Sequence, residues 1–533
     1  MRKADKERVL VEVTSRAVAS KIAAARDGSG LPLENLLNDT LYHERKRLET
    51  EPRNAARKHD LAFWNEIGRA LGRASQEEVR DLLKRVVERY VIEIMGNFSD
   101  SVYRVATKAL PIGLGGLLNA LSPARLVTGF PSFPSLDDTL IIQGDVDTLR
   151  SLDEKGTIVM APTHLSNLDS IIMGWAIYRM GLPPYLYGAG LNLFSNPLIS
   201  FFMNNLGAYR VDRKKKSALY KDVLKEYATC SIELGYDNLF FPGGTRSRSG
   251  LVEQKLKLGL LGTGLGAYIN NLRTGRPSPK VFVVPVTLSY HLVLEAETLI
   301  DDYLKEAGKA RYIITDDEFS RPRRIATFLS NLVNLDARIY ITVCPPLDPF
   351  GNRVLADGTS VDARGRAIDI ERYVHVGGRP DHDPWRDQEY TLELGDSVRA
   401  SFLANNVAMS THLLAFAMFR LMRDRNPGLD LYRLLRTGGD EDSMVLTDVY
   451  ARVDALLGRV GNLVRDRRIQ VDPRLDGKPV SEVVSDALRH FGTYHSHAVV
   501  ERRGDRLFAG DMNLLYYYHN RLVGYGLEAK EAA

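Results

Sequence analysis

His164 and Asp169 stand five positions apart in the segment Ala161-Pro162-Thr163-His164-Leu165-Ser166-Asn167-Leu168-Asp169. An imidazole takes up a proton near neutral pH, and a carboxylate held against one ring nitrogen fixes its tautomer and stabilises the imidazolium that forms. The pair therefore resembles the base and orienting acid of a Ser-His-Asp triad, with a substrate hydroxyl in place of the serine. In a continuous helix, residues five apart sit about 140° around the axis and would not meet. They meet if His164 lies in a loop and Asp169 in the first turn of a helix. The flanks fit that arrangement. Thr157 to Ala161 reads as a strand, and Ile171 to Tyr178 as an apolar helix. Ser166 reads as an N-cap and Asp169 as N3, a capping-box-like pattern that turns the carboxylate back. The bland alternative is an aspartate that only caps its helix beside a satisfied loop histidine. The spacing alone does not separate the two.

Three further blocks follow in order: Asn205-Leu206-Gly207-Ala208-Tyr209-Arg210-Val211-Asp212-Arg213, then Leu239-Phe240-Phe241-Pro242-Gly243-Gly244-Thr245-Arg246-Ser247-Arg248-Ser249-Gly250, then Val283-Val284-Pro285-Val286-Thr287. Gly243 and Gly244 permit a tight turn whose main-chain N–H groups can form an anion nest. Arg246 and Arg248 offer planar donors suited to a phosphate. For these arginines the plain alternative is surface solvation; for Pro285 it is strand packing.

With four ordered blocks the chain resembles the glycerolipid acyltransferase superfamily, most closely the membrane-associated glycerol-3-phosphate and dihydroxyacetone-phosphate acyltransferases. The likeness covers about residues 150 to 350. It runs through Gly188 to Phe194 and, more loosely, Asn406 to Leu414 and Leu514 to Leu522. The resemblance implies an O-acyltransferase in which His164 is the general base and Asp169 orients it. It implies that Arg213 (or Arg210), Gly243, Gly244, Arg246, Ser247 and Arg248 bind the glycerol phosphate, and that Pro285 belongs to an acyl-donor or site-integrity block. The acyl donor would be acyl-CoA or acyl-carrier protein as co-substrate, with no metal, no further cofactor and no covalent enzyme intermediate. The acceptor would be glycerol 3-phosphate, with dihydroxyacetone phosphate or lysophosphatidate as alternatives. One departure stands out. Many relatives read Phe-Pro-Glu-Gly-Thr-Arg-Ser in the third block, and Gly243 takes the glutamate's position here. Glu253 is a substitute that the sequence does not place, and a weakly active lipid-binding protein on the same fold is the rival reading.

The bulk composition is compatible with this. A length of 533 residues suggests roughly two or three domains, and 44% apolar with 26% charged residues marks a globular chain. A net charge of +4 is too mild for the basic face of a nucleic-acid binder. Cys230 and Cys344 are far apart and make no metal-ligand spacing; a reducing compartment fits. The charged start lacks a signal-peptide core. Ala109 to Ala124 and Met180 to Tyr209 are uncharged but broken by prolines, so they suit either a large interior or a surface that touches a bilayer without crossing it. The expected location is the cytoplasmic face of the membrane, peripheral or monotopic.

The elements that must position these residues follow from periodicity. Residues 1–108 read as helical, with Glu34 to Thr50 and Gln76 to Met95 amphipathic. The Gly129 to Pro134 stretch marks a boundary. Residues 109–355 read as an α/β core, a mixed, mostly parallel sheet flanked by helices, with strands at Thr139–Gln143, Thr157–Ala161, Ala208–Val211, Asn238–Pro242, Val281–Leu288 and Arg338–Cys344 and a helix at Leu219 to Leu234. Residues 356–533 read as mainly helical after a polar loop to about 390, with Leu394 to Arg425 one helix and a hairpin around Gly504-Asp505. The run Arg213 to Lys216 reads as a solvated face, or as a contact for anionic lipid or coenzyme A phosphates. Gly259, Gly262, Gly264 and Gly266 imitate a dinucleotide loop, but without the strand-turn context; close helix packing explains them better.

Overall fold

The computed structural model describes residues 3–107, 139–194, 197–307, 337–438, 443–492 and 495–528. The expected boundary at Gly129 to Pro134 and the uncharged stretch Ala109 to Ala124 lie outside them. Four helices open the chain: α1 (Lys3–Asp27), α2 (Leu33–Thr50), α3 (Ala55–Leu71) and α4 (Gln76–Ile94). The start of α4 is a capping box, in which Ser75 accepts from the Glu78 N–H and Glu78 accepts from the Ser75 N–H.

The centre is a seven-stranded sheet built from β1 (Leu140–Gly144), β2 (Thr157–Pro162), β3 (Leu186–Gly190), β4 (Ala208–Val211), β5 (Asn238–Leu239), β6 (Val281–Tyr290) and β7 (Ile339–Val343). Its order is β1-β7-β6-β2-β5-β3-β4. All neighbours run parallel except β6 and β7. The strands β2, β6 and β7 are buried on both faces, as in sheets with helices on both sides. Ile158 and Met160 of β2 pack with α5 (Val146–Asp153) and α6 (Asp169–Arg179), while Val159 between them packs with Leu265 and Ile269 of the helix Thr263–Arg273. β6 alternates likewise.

The N-terminal helices share a core with Leu186 of β3, Tyr209 of β4 and α7 (Ala218–Glu233). Here the basic run departs from a solvated face. Lys215 is buried, pairs with Glu93 at 2.6 Å and Glu44 at 3.3 Å, and lies over the rings of Tyr90 and Tyr220. Lys214 reaches Glu51. Two of the lysines thus dock the N-terminal helices.

The C-terminal region adds the helices Pro384–Ala404, Ser410–Arg425, Leu446–Arg465, Val480–Phe491 and Met512–His519. Most of their apolar faces join the core on the α6 side of the sheet. The single helix expected over Leu394 to Arg425 is two. The chain turns extended at Val407–Ala408 to pair with Gln470–Val471, and the Val407 N–H donates to Ser289 Oγ at 3.1 Å. The hairpin forms as expected, with Val500–Arg503 against Arg506–Ala509 around Gly504-Asp505. The glycines near 260 serve close packing: a Cβ on Gly264 would touch Val281, and one on Gly266 would touch Thr229. Among the described residues, no helix is long and apolar enough to cross a membrane.

Candidate active site

The parallel strands β2, β4 and β5 deliver their C-terminal ends to one edge of the sheet, the edge at which α/β folds bind ligands. His164 follows β2 by two residues, Arg213 follows β4 by two, and the Gly243 loop follows β5, the hydrogen-bonded neighbour of β2. Residues remote in sequence are thereby gathered at one edge by topology.

His164 is held on all sides. Its N–H donates to Glu253 Oε1 at 2.7 Å, and its carbonyl accepts from the Ser247 N–H at 2.7 Å. The ring stacks on Phe241 with centroids 4.1 Å apart. Nδ1 lies 2.8 Å from Asp169 Oδ2. That oxygen also accepts the N–H groups of Leu165 at 2.6 Å and Ser166 at 2.8 Å, and the Tyr290 hydroxyl donates to Oδ1. An acceptor facing Nδ1 assigns the ring hydrogen to Nδ1 and leaves the lone pair on Nε2. The side chain is 12% exposed, so the lone pair is sheltered but not sealed off. Burial lowers the His164 pKa; the Asp169 hydrogen bond and charge oppose this, and the charges of Arg246 and Arg213 add to the lowering. The ring is therefore neutral and basic at neutral pH.

The junction differs from its expected form in one respect. Regular helix begins at Asp169 itself, with Leu168 in the cap position and no side-chain cap. Asp169 still reaches back to the Ser166 N–H, but Ser166 Oγ is committed to Glu295 Oε2 at 2.7 Å and to the Leu168 N–H. Glu295, fully buried, also accepts the Asn167 N–H at 3.0 Å and pairs with Arg246 at 3.3 Å. One carboxylate thus ties the His164 loop to the third-block arginine.

Arg213 is exposed and close enough to His164 and Arg246 to act on both electrostatically. Arg248 pairs with Glu306 of the helix Ala296–Ala307. Arg210 turns to Asn204 at 2.7 Å and lies over the Phe194 ring. Gly244 sits at φ +74°, and its N–H donates to Phe241 O at 3.0 Å. The Ser247 hydroxyl donates to Leu251 O at 2.7 Å. The Gly244 N–H thus turns back into its own loop, and the Ser247 N–H ties that loop to the His164 carbonyl.

The segment that carries most of this geometry also matches known proteins. Residues 144–289 fit the family model described as Acyltransferase. Glycerol-3-phosphate acyltransferase of Aeromonas hydrophila subsp. hydrophila is 31% identical over 238 residues, covering 44% of this chain and 26% of that protein. The enzyme of the same name from Pseudomonas syringae pv. tomato is 31% identical over 188 residues, covering 32% of this chain and 22% of its own length. That from Xanthomonas axonopodis pv. citri is 30% identical over 158 residues, covering 30% and 17%. Over this segment the chain is similar to the Acyltransferase family and to these glycerol-3-phosphate acyltransferases. The match spans about a quarter or less of those relatives' lengths.

Within the matched segment, Pro285 has a local explanation. It lies on β6 opposite Ala161, where the pairing of β6 with β7 shifts by one residue between Val283↔Leu347 and Val286↔Val343. A register break tolerates a residue without an N–H. Four residues at the site received no role from the motifs: Tyr290 and Glu295, which lie outside them, and Phe241 and Arg521, which lie inside the third block and the Leu514 to Leu522 stretch. The signal for Glu295 was a single acid in the run Leu292-Val293-Leu294-Glu295-Ala296, where only a paired carboxylate is tolerated. The C-terminal segment closes the site from outside the matched residues. Asn520 donates to Ser249 O at 2.8 Å, Arg521 to Leu288 O at 2.8 Å, and Tyr518 OH accepts the Val293 N–H at 3.1 Å.

Away from this edge, His291, Asp486 and His490 bring potential metal ligands together. The two imidazoles are stacked, with centroids 4.6 Å apart and planes 15° from parallel, so their lone pairs do not converge. The Arg474 guanidinium, 3.3 Å from His291 Nε2, opposes a cation there as well.

Proposed function

We propose that the chain is an O-acyltransferase of the glycerol-3-phosphate type, working as a peripheral or monotopic protein at the cytoplasmic face of a membrane. One observation carries the reading: a histidine lone pair fixed by a buried aspartate at the strand edge where Arg246 and Arg213 gather. The acceptor's phosphate meets the guanidinium groups, which brings its hydroxyl to Nε2 of His164. His164 takes the hydroxyl proton as the oxygen attacks the thioester carbonyl of acyl-CoA or acyl-carrier protein. The tetrahedral intermediate collapses with breakage of the C–S bond, and the imidazolium returns the proton to the departing thiolate. The two partners are therefore a glycerol phosphate and an acyl thioester, and the chemistry needs no covalent enzyme intermediate.

The test is thiol release from palmitoyl-CoA with glycerol 3-phosphate, dihydroxyacetone phosphate and lysophosphatidate offered in parallel. Release should depend on glycerol 3-phosphate, and His164→Ala should reduce turnover by ~10²–10⁴ with the fold intact. Near-normal turnover in that variant removes the mechanism. Preference for another acceptor reassigns the substrate, and no release with any of them favours a lipid-binding protein on the acyltransferase fold.

A further inference from the structure

The third-block resemblance implies a glutamate where this chain has Gly243, yet a carboxyl group occupies the space. A Cβ on Gly243 would lie 2.8 Å from Glu253 Oε1 and 2.9 Å from Glu253 Cδ. Glu253 arrives from the loop after the third block, is 9% exposed, and directs Oε1 to the His164 N–H at 2.7 Å. Its Oε2 is buried with no hydrogen-bond partner among the described residues. The charged groups acting on it are Asp169 and, from the C-terminal segment, Arg521. We propose that Glu253 is a positioning residue that stands in for the side chain absent at Gly243, fixing the backbone of His164 so that its ring meets Asp169 and Phe241.

The two positions are then one device: the glycine makes room, and the glutamate fills it. Burial pushes the Glu253 carboxyl up to about 8, so at neutral pH it accepts the His164 N–H without placing a second anion beside Asp169. A neutral acid has a close mimic in glutamine, whose amide oxygen accepts the same N–H. An alanine has none.

The inference rests on His164 as the base, so its test includes readouts that do not. Glu253→Ala should lower kcat for thiol release by about tenfold or more with little change in the KM for glycerol 3-phosphate. Glu253→Gln should restore most of the loss. Gly243→Glu alone should be impaired by collision with Glu253, and Gly243→Glu with Glu253→Ala should exceed either single variant. In thermal unfolding, Gly243→Ala should lower Tm in the natural background and cost little beside Glu253→Ala, a coupling expected only of groups in contact. An unchanged kcat in Glu253→Ala, a double variant no better than its parents, or equal Tm losses for Gly243→Ala in both backgrounds overturns the inference. Near-normal turnover in His164→Ala would sink the base assignment while leaving the Tm coupling to be judged separately.

Discussion

His164 sits between two opposing influences that can be separated by substitution. Asp169 raises its pKa through a hydrogen bond and a charge, whereas burial, Arg246 and Arg213 lower it. Asp169→Asn is nearly conservative in geometry. The amide oxygen can take the place of Oδ2, keeping the bonds from Leu165, Ser166 and Nδ1, while its NH2 turns to the Tyr290 hydroxyl, which then accepts. The tautomer survives and the counter-charge of the imidazolium is lost, so kcat should fall by ~10² or more. The base is active when neutral, so activity is lost as pH falls through the pKa of His164. Asp169→Asn removes a raising influence, and the acid limb of kcat/KM should move to lower pH. Arg246→Ala removes a lowering one, and the limb should move to higher pH while the KM for glycerol 3-phosphate rises. Two shifts in the same direction, measured as pH profiles of thiol release, would contradict the electrostatic arrangement described here.

The strand edge works because elements from four blocks are tied to each other, and Glu295 is the tie between two of them. It is wholly buried and answers Ser166, Asn167 and Arg246. Removing one member of a buried ion pair leaves the other charge uncompensated, so Glu295→Ala should cost about 3–5 kcal/mol of stability. The cost should appear as a lowered Tm, together with weaker use of glycerol 3-phosphate as Arg246 loses its anchor; an unchanged Tm would show the pair to be dispensable. This contact also marks what the sequence could disclose. Strands with β-branched runs, such as Val281 to Leu288, and helices with clear periodicity, such as α2 and α4, were legible within a residue or two. β3 was not, because Leu186-Tyr187-Gly188-Ala189-Gly190 carries glycines that read as a loop, and of the expected Asn238–Pro242 only Asn238–Leu239 is strand. The pairing of His164 with Asp169 followed from spacing and a strand-helix junction. The positions of Glu253 and Glu295 did not, since both depend on loops whose paths are set by tertiary contacts and leave no periodic trace.

At the scale of the whole molecule, the segment that matches the Acyltransferase family is one piece of a larger continuous interior. Leu186 and Tyr209 of the sheet bury against the first four helices, with Lys215 clasped by Glu44 and Glu93. On the opposite face, Met160, Val284, Val286 and Leu288 share their core with Leu413, Phe416 and Tyr518 of the C-terminal helices. The site itself takes Asn520 and Arg521 from that end of the chain. A fragment holding only residues 139–350 would expose both faces of this packing, two large apolar surfaces that a soluble monomer rarely tolerates. Such a fragment should therefore aggregate or bind a hydrophobic dye without a cooperative melt, and it should release no thiol, whereas the full chain melts cooperatively. The sharper variant is Arg521→Met in the full chain. Methionine keeps much of the stem's packing but gives up the hydrogen bond to Leu288 O and the positive charge facing Glu253 and Asp169. If the C-terminal segment completes the site and is not only a cover, Arg521→Met should lower kcat more than a matched apolar change on the outer face of those helices, at similar Tm. A well-folded, fully active fragment of residues 139–350 would instead show that the helices on both sides are dispensable to the chemistry.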